Sequence, residues 1–399
     1  MSEDRKIPKL RFPGFNDDWE QRKFGELYKR VSEKNDLSFG TDKIISVANM
    51  YFKEDAKSSD DDYMKTYNIM RLGDIAFEGN KSKNFAHGRF VENTIGDGIV
   101  SHVFDVFRPI TEYDISFWKY LINNEDIMGR ILTRCTKAST MMTNLVANDF
   151  LKEKVLVPTM AEQEKIGVYF DSLDQLITLH QRKCEALKTF KKAMLQKMFP
   201  KEGEKVPEVR FPGFSDDWEQ RKFCELYEKN TEKNAELIGY DKTISIATMT
   251  YKDEGNGASD DSLKTYKVLR VGDLAFEGHT NKEFRYGRFV ANDIGIGIIS
   301  PRFTTLRPLK ETPVSFWKYY IHYEPIMRNI LVNSTKAGTM MNELVIPDFM
   351  KQSIRVPSLE EQIKIGEYFD NLSNLITLHQ RKCEEWKEMK KALLQQMFV

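Results

Sequence analysis

The chain of 399 residues holds only four cysteines, Cys135, Cys184, Cys224 and Cys383, and none has a CxxC neighbour. That is too few for a disulfide framework and lacks the spacing of a zinc ribbon. No run of about 18 apolar residues occurs, so no membrane-spanning helix is expected. The first ten residues carry Glu3, Asp4, Arg5, Lys6 and Lys9 without an apolar stretch, unlike a secretory leader, and the expectation is a cytoplasmic protein. Neither sign of charge is in excess, with 60 Lys and Arg against 60 Asp and Glu. Small DNA-binding domains are often strongly basic, so this balance argues mildly against nucleic acid, although a local basic cleft can coexist with acidic faces. Catalytic signatures are missing as well. There is no Walker A loop, HExxH or GxSxG, no Asn/Asp-Pro-Pro-aromatic signature of amino-methyltransferases and no glycine-rich methyl-donor loop. Asp17 and Asp18 precede Trp19 in a repeated motif and read as turn or cap residues, and Asp60 to Asp62 have no nearby His or Lys pattern. The chain reads as non-catalytic.

What is present is one sequence written twice, 199 residues apart. Arg11-Phe12-Pro13-Gly14-Phe15 returns as Arg210-Phe211-Pro212-Gly213-Phe214, and residues 176–185 return unchanged as 375–384. A duplicated chain of this length can bury a core in each copy and fold as a two-fold object. The expected fold class is α+β: two pseudo-two-fold-related mixed α/β domains separated by a long antiparallel helical coiled coil.

Each copy divides into a mixed region and a long helix, with expected bounds of 1–158, 159–199, 200–357 and 358–399. Val157-Pro158-Thr159 followed by Glu162, and Val356-Pro357-Ser358 followed by Glu361, match the S/T-x-x-E capping box. Inside the helices, apolar and soft residues alternate steps of four and three. The seam runs Ile166, Phe170, Leu173, Ile177, His180, Cys184 and Leu187 in one copy, and Ile365, Phe369, Leu372, Ile376, His379, Cys383 and Trp386 in the other. This is a heptad pattern that needs a partner, and the other copy is the nearest candidate. Forty helical residues span roughly 60 Å at about 1.5 Å each. A mixed domain must be built between the two helices, so a two-fold relation makes them antiparallel, giving a dumbbell. His180 with Cys184 and His379 with Cys383 offer four soft ligands for a metal. Full helix overlap leaves the cysteines about 12 Å apart along the axis, so no metal is expected and the positions read as a polar register step.

In the mixed regions, residues 44–48, 74–77, 243–247 and 273–276 read as strands, and 116–120 as the start of an amphipathic helix. Of 32 residues from Val168 to Phe199, 22 recur identically, whereas from Tyr51 to Thr66 only 5 of 16 do. Either a common frame carries two unlike readers, or exposed loops simply drift faster than buried seams. The divergent loops contribute Tyr51 and Lys53, with Tyr251 and Lys252 in the second copy. Asn80-Lys81-Ser82-Lys83-Asn84, followed by Arg89, corresponds to His279-Thr280-Asn281-Lys282-Glu283, followed by Arg285 and Arg288. Such side chains discriminate base edges in the major groove, and they equally make a solvated polar hairpin. A further loop offers Lys137, Ser139 and Thr140, matched by Lys336 and Thr339, as phosphate contacts. Arg130 and Arg134 before it also suit the last turn of a helix.

The Glu-Gln pairs at the helix starts (Glu162-Gln163, Glu361-Gln362), the Gly-Asp strand entries (Gly73-Asp74, Gly272-Asp273) and the Phe-Pro-Gly-Phe…Trp motifs carry a family likeness. In order and spacing, over essentially the whole chain, the pattern resembles type I restriction–modification specificity subunits. The resemblance implies two target-recognition domains, each reading one half of a split double-stranded DNA sequence. The helices would be a ruler between half-sites and the dock for two methyltransferase subunits. Those partners would bring S-adenosylmethionine, and two motor-nuclease subunits would bring ATP and Mg, while this chain binds no cofactor. The rival expectation is a coiled-coil scaffold that pairs two copies of a protein partner without binding DNA.

Overall fold

Pro158 and Pro357 hold the preceding residues extended, and in each copy the strand before the proline is paired. Glu20–Lys23 lies antiparallel to Lys154–Val157, and Glu219–Lys222 to Ser353–Val356. The computed structural model describes residues 7–53, 60–138, 142–252, 260–338 and 341–399. These fall into two units, Met1–Gln181 with Arg381–Val399, and Arg182–Gln380. The division passes through both long helices, Met160–Met198 and Leu359–Met397.

Each unit contains a four-stranded antiparallel sheet. In the first the order is Tyr28–Val31, Val106–Pro109, Ile75–Glu78, Arg89–Glu92; in the second it is Tyr227–Lys229, Thr304–Pro308, Leu274–Glu277, Arg288–Ala291. Asp74 and Asp273 each accept the amide of the residue three before them at 2.8 Å, closing the expected Gly-Asp turn. The strand expected over 44–48 shortens to Ile45–Ser46, paired with Tyr51–Phe52, because the chain turns between them through Met50 at φ 49°. The amphipathic helix is Ile115–Ile122, with Asp114 capping the Phe117 amide at 2.7 Å.

The capping boxes form only in part: in the second copy Ser358 Oγ accepts the Glu361 amide at 3.4 Å. Thr159 O does accept the amides of Glu162 and Gln163, but the Glu162 carboxylate does not reach back to its cap. It is wholly buried and takes two bonds from the Arg11 guanidinium, at 2.7 and 2.8 Å. Arg210 and Glu361 repeat the arrangement at 2.6 and 2.8 Å. A forked cation satisfies both carboxylate oxygens where a single backbone N–H satisfies one. The neighbouring Gln163 and Gln362 side chains donate to the carbonyls of Pro158 and Pro357. The entry motif and the helix start are therefore one joint.

Within the first unit, the core of Trp19, Phe24, Phe117, Trp118, Phe150 and Phe170 takes in Met397 and Phe398 from the far end of the second helix. Lys390 Nζ meets Asp174 at 2.6 Å and the Phe398 ring lies 5.9 Å from Phe170. In the second unit Lys191 Nζ bonds Ser373 Oγ at 2.8 Å and Phe199 lies 5.7 Å from Phe369. Rising numbers on one helix meet falling numbers on the other, so in each unit the two helix segments run antiparallel. Gly167 permits the close passage of the first helix, since a Cβ there would sit 2.5 Å from Asp114 Oδ1 and 2.9 Å from the Phe117 nitrogen. Ile166, Phe170 and Leu173 lie in the first core, and Ile365, Phe369 and Leu372 in the second. Leu187 packs on the second core and Trp386 on the first. Ile177, Cys184 and Cys383 are buried, whereas His180, Ile376 and His379 are half-buried. Among the described residues no helix is long and apolar enough to cross a membrane, and no group of three His, Cys, Asp or Glu side chains could hold a metal ion.

One buried carboxyl distinguishes the two sheets. Glu92 is 2% exposed, neither of its oxygens has a hydrogen-bond partner, and its equivalent 199 residues on is Ala291. Burial pushes its pKa well above the ordinary carboxyl value, against a downward pull from Lys119. The folded state therefore keeps a proton that the unfolded chain has lost. Stability is undiminished below the ordinary carboxyl value and falls as pH rises from there through the raised one. Glu92→Met, similar in volume, is expected to stabilise the first unit by about 1–3 kcal/mol at neutral pH. It should also flatten the decline toward alkaline pH; thermal unfolding across that range checks both.

Candidate nucleic-acid interface

Three loops distant in sequence are brought together on each sheet edge. The loop after Ile75–Glu78 is stitched to the hairpin Thr136–Ala138/Thr143–Leu145 by the Thr143 amide, which donates to the Gly79 carbonyl at 2.8 Å. A Cβ on Gly79 would lie 2.1 Å from the Thr143 carbonyl oxygen, so this contact requires glycine. The second domain repeats the stitch between Asn342 and Gly278, where the same distance is 1.9 Å. The third loop, between residues 46 and 51, is tied in by an arginine. Arg89 donates to the Ala48 carbonyl, is held by Glu78 at 2.8 Å and lies over Phe85. Arg288 does the same with Ala247, Glu277 and Phe284.

These contacts sort the candidates. Arg89 and Arg288 are half-buried and committed to bracing the loops. Ser82 Oγ and Asn281 Oδ1 accept amides two and three residues on, fixing the tip of each loop. Asn80 donates to Glu78 at 3.3 Å while remaining exposed. Lys81, Lys83 and Asn84 are exposed in the first domain, as are His279, Thr280, Lys282 and Arg285 in the second. Lys53 and Lys252, just past the strands Tyr51–Phe52 and Thr250–Tyr251, and Lys137 and Lys336 of the hairpins add exposed cations. Tyr51 is exposed, but Tyr251 is the counterpart of Phe52 and is held by its hydroxyl on the Ile296 carbonyl and by Lys242 over its ring. Ser139, Thr140 and Thr339 lie outside the described residues. Arg134, the helix-end cation, is engaged by Glu153 at 3.0 Å.

Sequence reading missed the return strand of the hairpin. Asn144 stands opposite Lys137, and Glu343 opposite Lys336 with an ion pair of 3.4 Å. Strand alternation from Lys137 onward was the available signal, obscured by the short strands.

Behind the loops a charged network sets the sheet. Arg108 grips Asp74 at 2.9 Å and Glu33 at 2.7 Å, and Arg307 grips Asp273 and Glu232 likewise. Hydrogen bonds from Arg71 and Arg108 hold Glu33 below the usual carboxylate range, and Arg270 with Arg307 brings Glu232 to about 2. Asp74 is instead raised, because burial outweighs Arg108. The acids of this network are thus spent on structure.

The profile of the type I restriction modification DNA specificity domain matches residues 16–189 and 287–388. No curated protein sequence matches the chain. Among solved structures, the S subunit of a type I restriction-modification system from M. genitalium aligns with a TM-score of 0.59 at 12% identity, covering 98% of this chain and 99% of that one. A chain solved in work on complex assembly and conformational transition of the type I R-M system aligns with a TM-score of 0.50 at 17% identity, covering 97% and 98%. The HsdS subunit from Thermoanaerobacter tengcongensis gives 0.47 at 19%, covering 95% and 96%. With both copies reached by the profile and the fold shared along its whole length, the chain belongs to the type I restriction modification DNA specificity domain family.

Proposed function

We propose that each mixed domain reads one half of a bipartite duplex target through its stitched loops, and that the chain does no chemistry itself. The observation that carries this reading is the convergence of three loops on one braced surface in each domain, one of them divergent between the copies and two of them bearing exposed cations. Exposed Lys53, Lys81, Lys83 and Lys137 suit phosphates, while Asn80 and Asn84 suit base edges. In the second domain Lys252, Lys282, Arg285 and Lys336 take the first role and His279 and Thr280 the second.

The long helices set the distance between half-sites and dock two methyltransferase subunits. Apolar side chains outside the cores support docking: Val168 is 65% exposed and Leu179 46% in the first unit, and Phe190 47% and Leu375 44% in the second. Patches of this kind mark protein interfaces. Methyl transfer, with S-adenosylmethionine, and restriction, with ATP and Mg, then belong to the methyltransferase and the two motor-nuclease partners.

Replacing His279 to Glu283 by the residues Asn80 to Asn84 tests the reading. Sequencing of methylated DNA from cells carrying the assembled enzyme should show a change confined to one half-site. A change in both halves, or in neither, counts against these loops as readers. A complex that methylates without any sequence preference favours the scaffold instead.

A further inference from the structure

The second unit has a groove of about 950 Å³. One wall is the long helix, presenting Lys188, Lys191 and Lys192; the other is the Val314–Tyr320 helix, presenting Lys318 and Tyr319. Its rim includes Thr248 and Met249 from the third recognition loop and Glu283 from the first. The groove therefore opens beside the reading surface.

The two copies differ here in charge compensation. In the first, Lys390 is neutralised by Asp174 at 2.6 Å. In the second, its counterpart Lys191 faces Ser373, the counterpart of Asp174, and bonds that hydroxyl at 2.8 Å while lying over the Tyr319 ring. Asp370, the nearest acid, is already shared by Lys318 at 2.7 Å and Tyr319 at 2.8 Å. Burial, and then Lys318, lowers the Lys191 pKa against an upward pull from Asp370. Of the acids lining the groove, Asp293 is paired with Lys318 and Glu324 with Arg328, which leaves exposed Glu283 at the rim. Lys191 forms no ion pair among the described residues, and neither does exposed Lys192. A half-buried ammonium without a counter-ion is a site for an external anion.

We propose that this groove holds a backbone phosphate of the duplex beside the half-site read by the second domain, with Lys191 as the inner cation and Lys192 at the mouth. The inference rests on the DNA reading above. An ammonium is a point charge suited to phosphate and carries no base information. A protein partner that docks alike on both halves would need the same groove twice. The first copy instead has Asp174 at the lysine and the bulkier Glu92 where the second has Ala291.

Ser373→Asp installs the carboxylate that Asp174 already offers Lys390, so the fold has a precedent for it. Lys192→Gln removes an exposed charge without touching the core. Binding of the assembled specificity–methyltransferase complex to its target duplex is measured over a range of salt. Each substitution should lower the slope of log K against log salt by about 0.9, with the methylated sequence unchanged. An unchanged slope for Ser373→Asp overturns the assignment of Lys191, whatever Lys192→Gln does. Loss of methyltransferase assembly with an unchanged slope also overturns it, and identifies an acidic protein segment as the occupant. If the unsubstituted complex prefers its target no more than random duplex, the DNA reading fails, a result distinct from either variant's.

Discussion

Phe398→Ala is expected to destabilise the first unit by about 3–5 kcal/mol, the range for truncating a fully packed aromatic. Phe398 is 6% exposed and its ring stacks on Phe117 at 5.5 Å with an interplanar angle of 22°. Trp19 meets it edge-on at 6.3 Å and Phe170 lies at 5.9 Å. These neighbours come from the entry motif, the Ile115–Ile122 helix and the first long helix, so one ring near residue 400 closes a core begun at residue 19. The Leu10 amide, bonded to the Gln396 carbonyl at 2.9 Å, and Asn124, bonded to the Leu394 carbonyl at 3.3 Å, tie the same segment to the same unit. Hydrogen exchange should report the loss as faster exchange in Ile75–Glu78 and Val106–Pro109. Leu274–Glu277, built on a core that contains Phe199 instead, should keep its protection. Phe398→Leu, which refills most of the volume, should cost much less. Equal loss in both sheets, or none in either, would contradict the assignment of this segment to the first core.

Much of this was legible in the sequence, and the exceptions have physical reasons. The duplication, the long helices and the heptad seam follow from spacing alone, because a buried stripe must repeat with the helix. Strand positions such as Ile75–Glu78 were legible from the Gly-Asp turn, but Ile45–Ser46 was overdrawn because a turn through a left-handed Met50 leaves no mark in composition. The loop after Ile75–Glu78 was legible from its polar chemistry and its divergence between copies, and the one after Thr136 from its polar chemistry alone, but the one between residues 46 and 51 was not. That they meet was not legible: the Gly79–Thr143 contact joins residues 64 apart, and a glycine chosen for closeness looks like any other. Nor does residue type separate an arginine that braces from one that reads. Arg89 and Arg285 are alike in sequence, and only the buried Glu78 beside the first distinguishes them. The role of the capping-box glutamate was misjudged because a short-range pattern competes with a partner 151 residues away.

That partner gives the second large effect. Arg11→Ala leaves the Glu162 carboxylate, with no exposed surface, without its forked counter-ion. Removing one member of a buried pair costs about 3–5 kcal/mol, because the remaining charge can neither be solvated nor satisfied. The expected result is a fall of that size in the denaturant stability of the first unit. Arg11→Met with Glu162→Met should recover most of it, since two apolar side chains remove the stranded charge together with the bond. Arg210→Ala is expected to act in the same way on the second unit through Glu361. If Arg11→Ala costs less than about 1 kcal/mol, the scale of an exposed pair, water replaces the guanidinium and the joint is not sealed. A full-sized loss that the double substitution restores would identify the pair as a fixed hinge point, where Arg11 of the entry motif and the first turn of the long helix are held in one geometry.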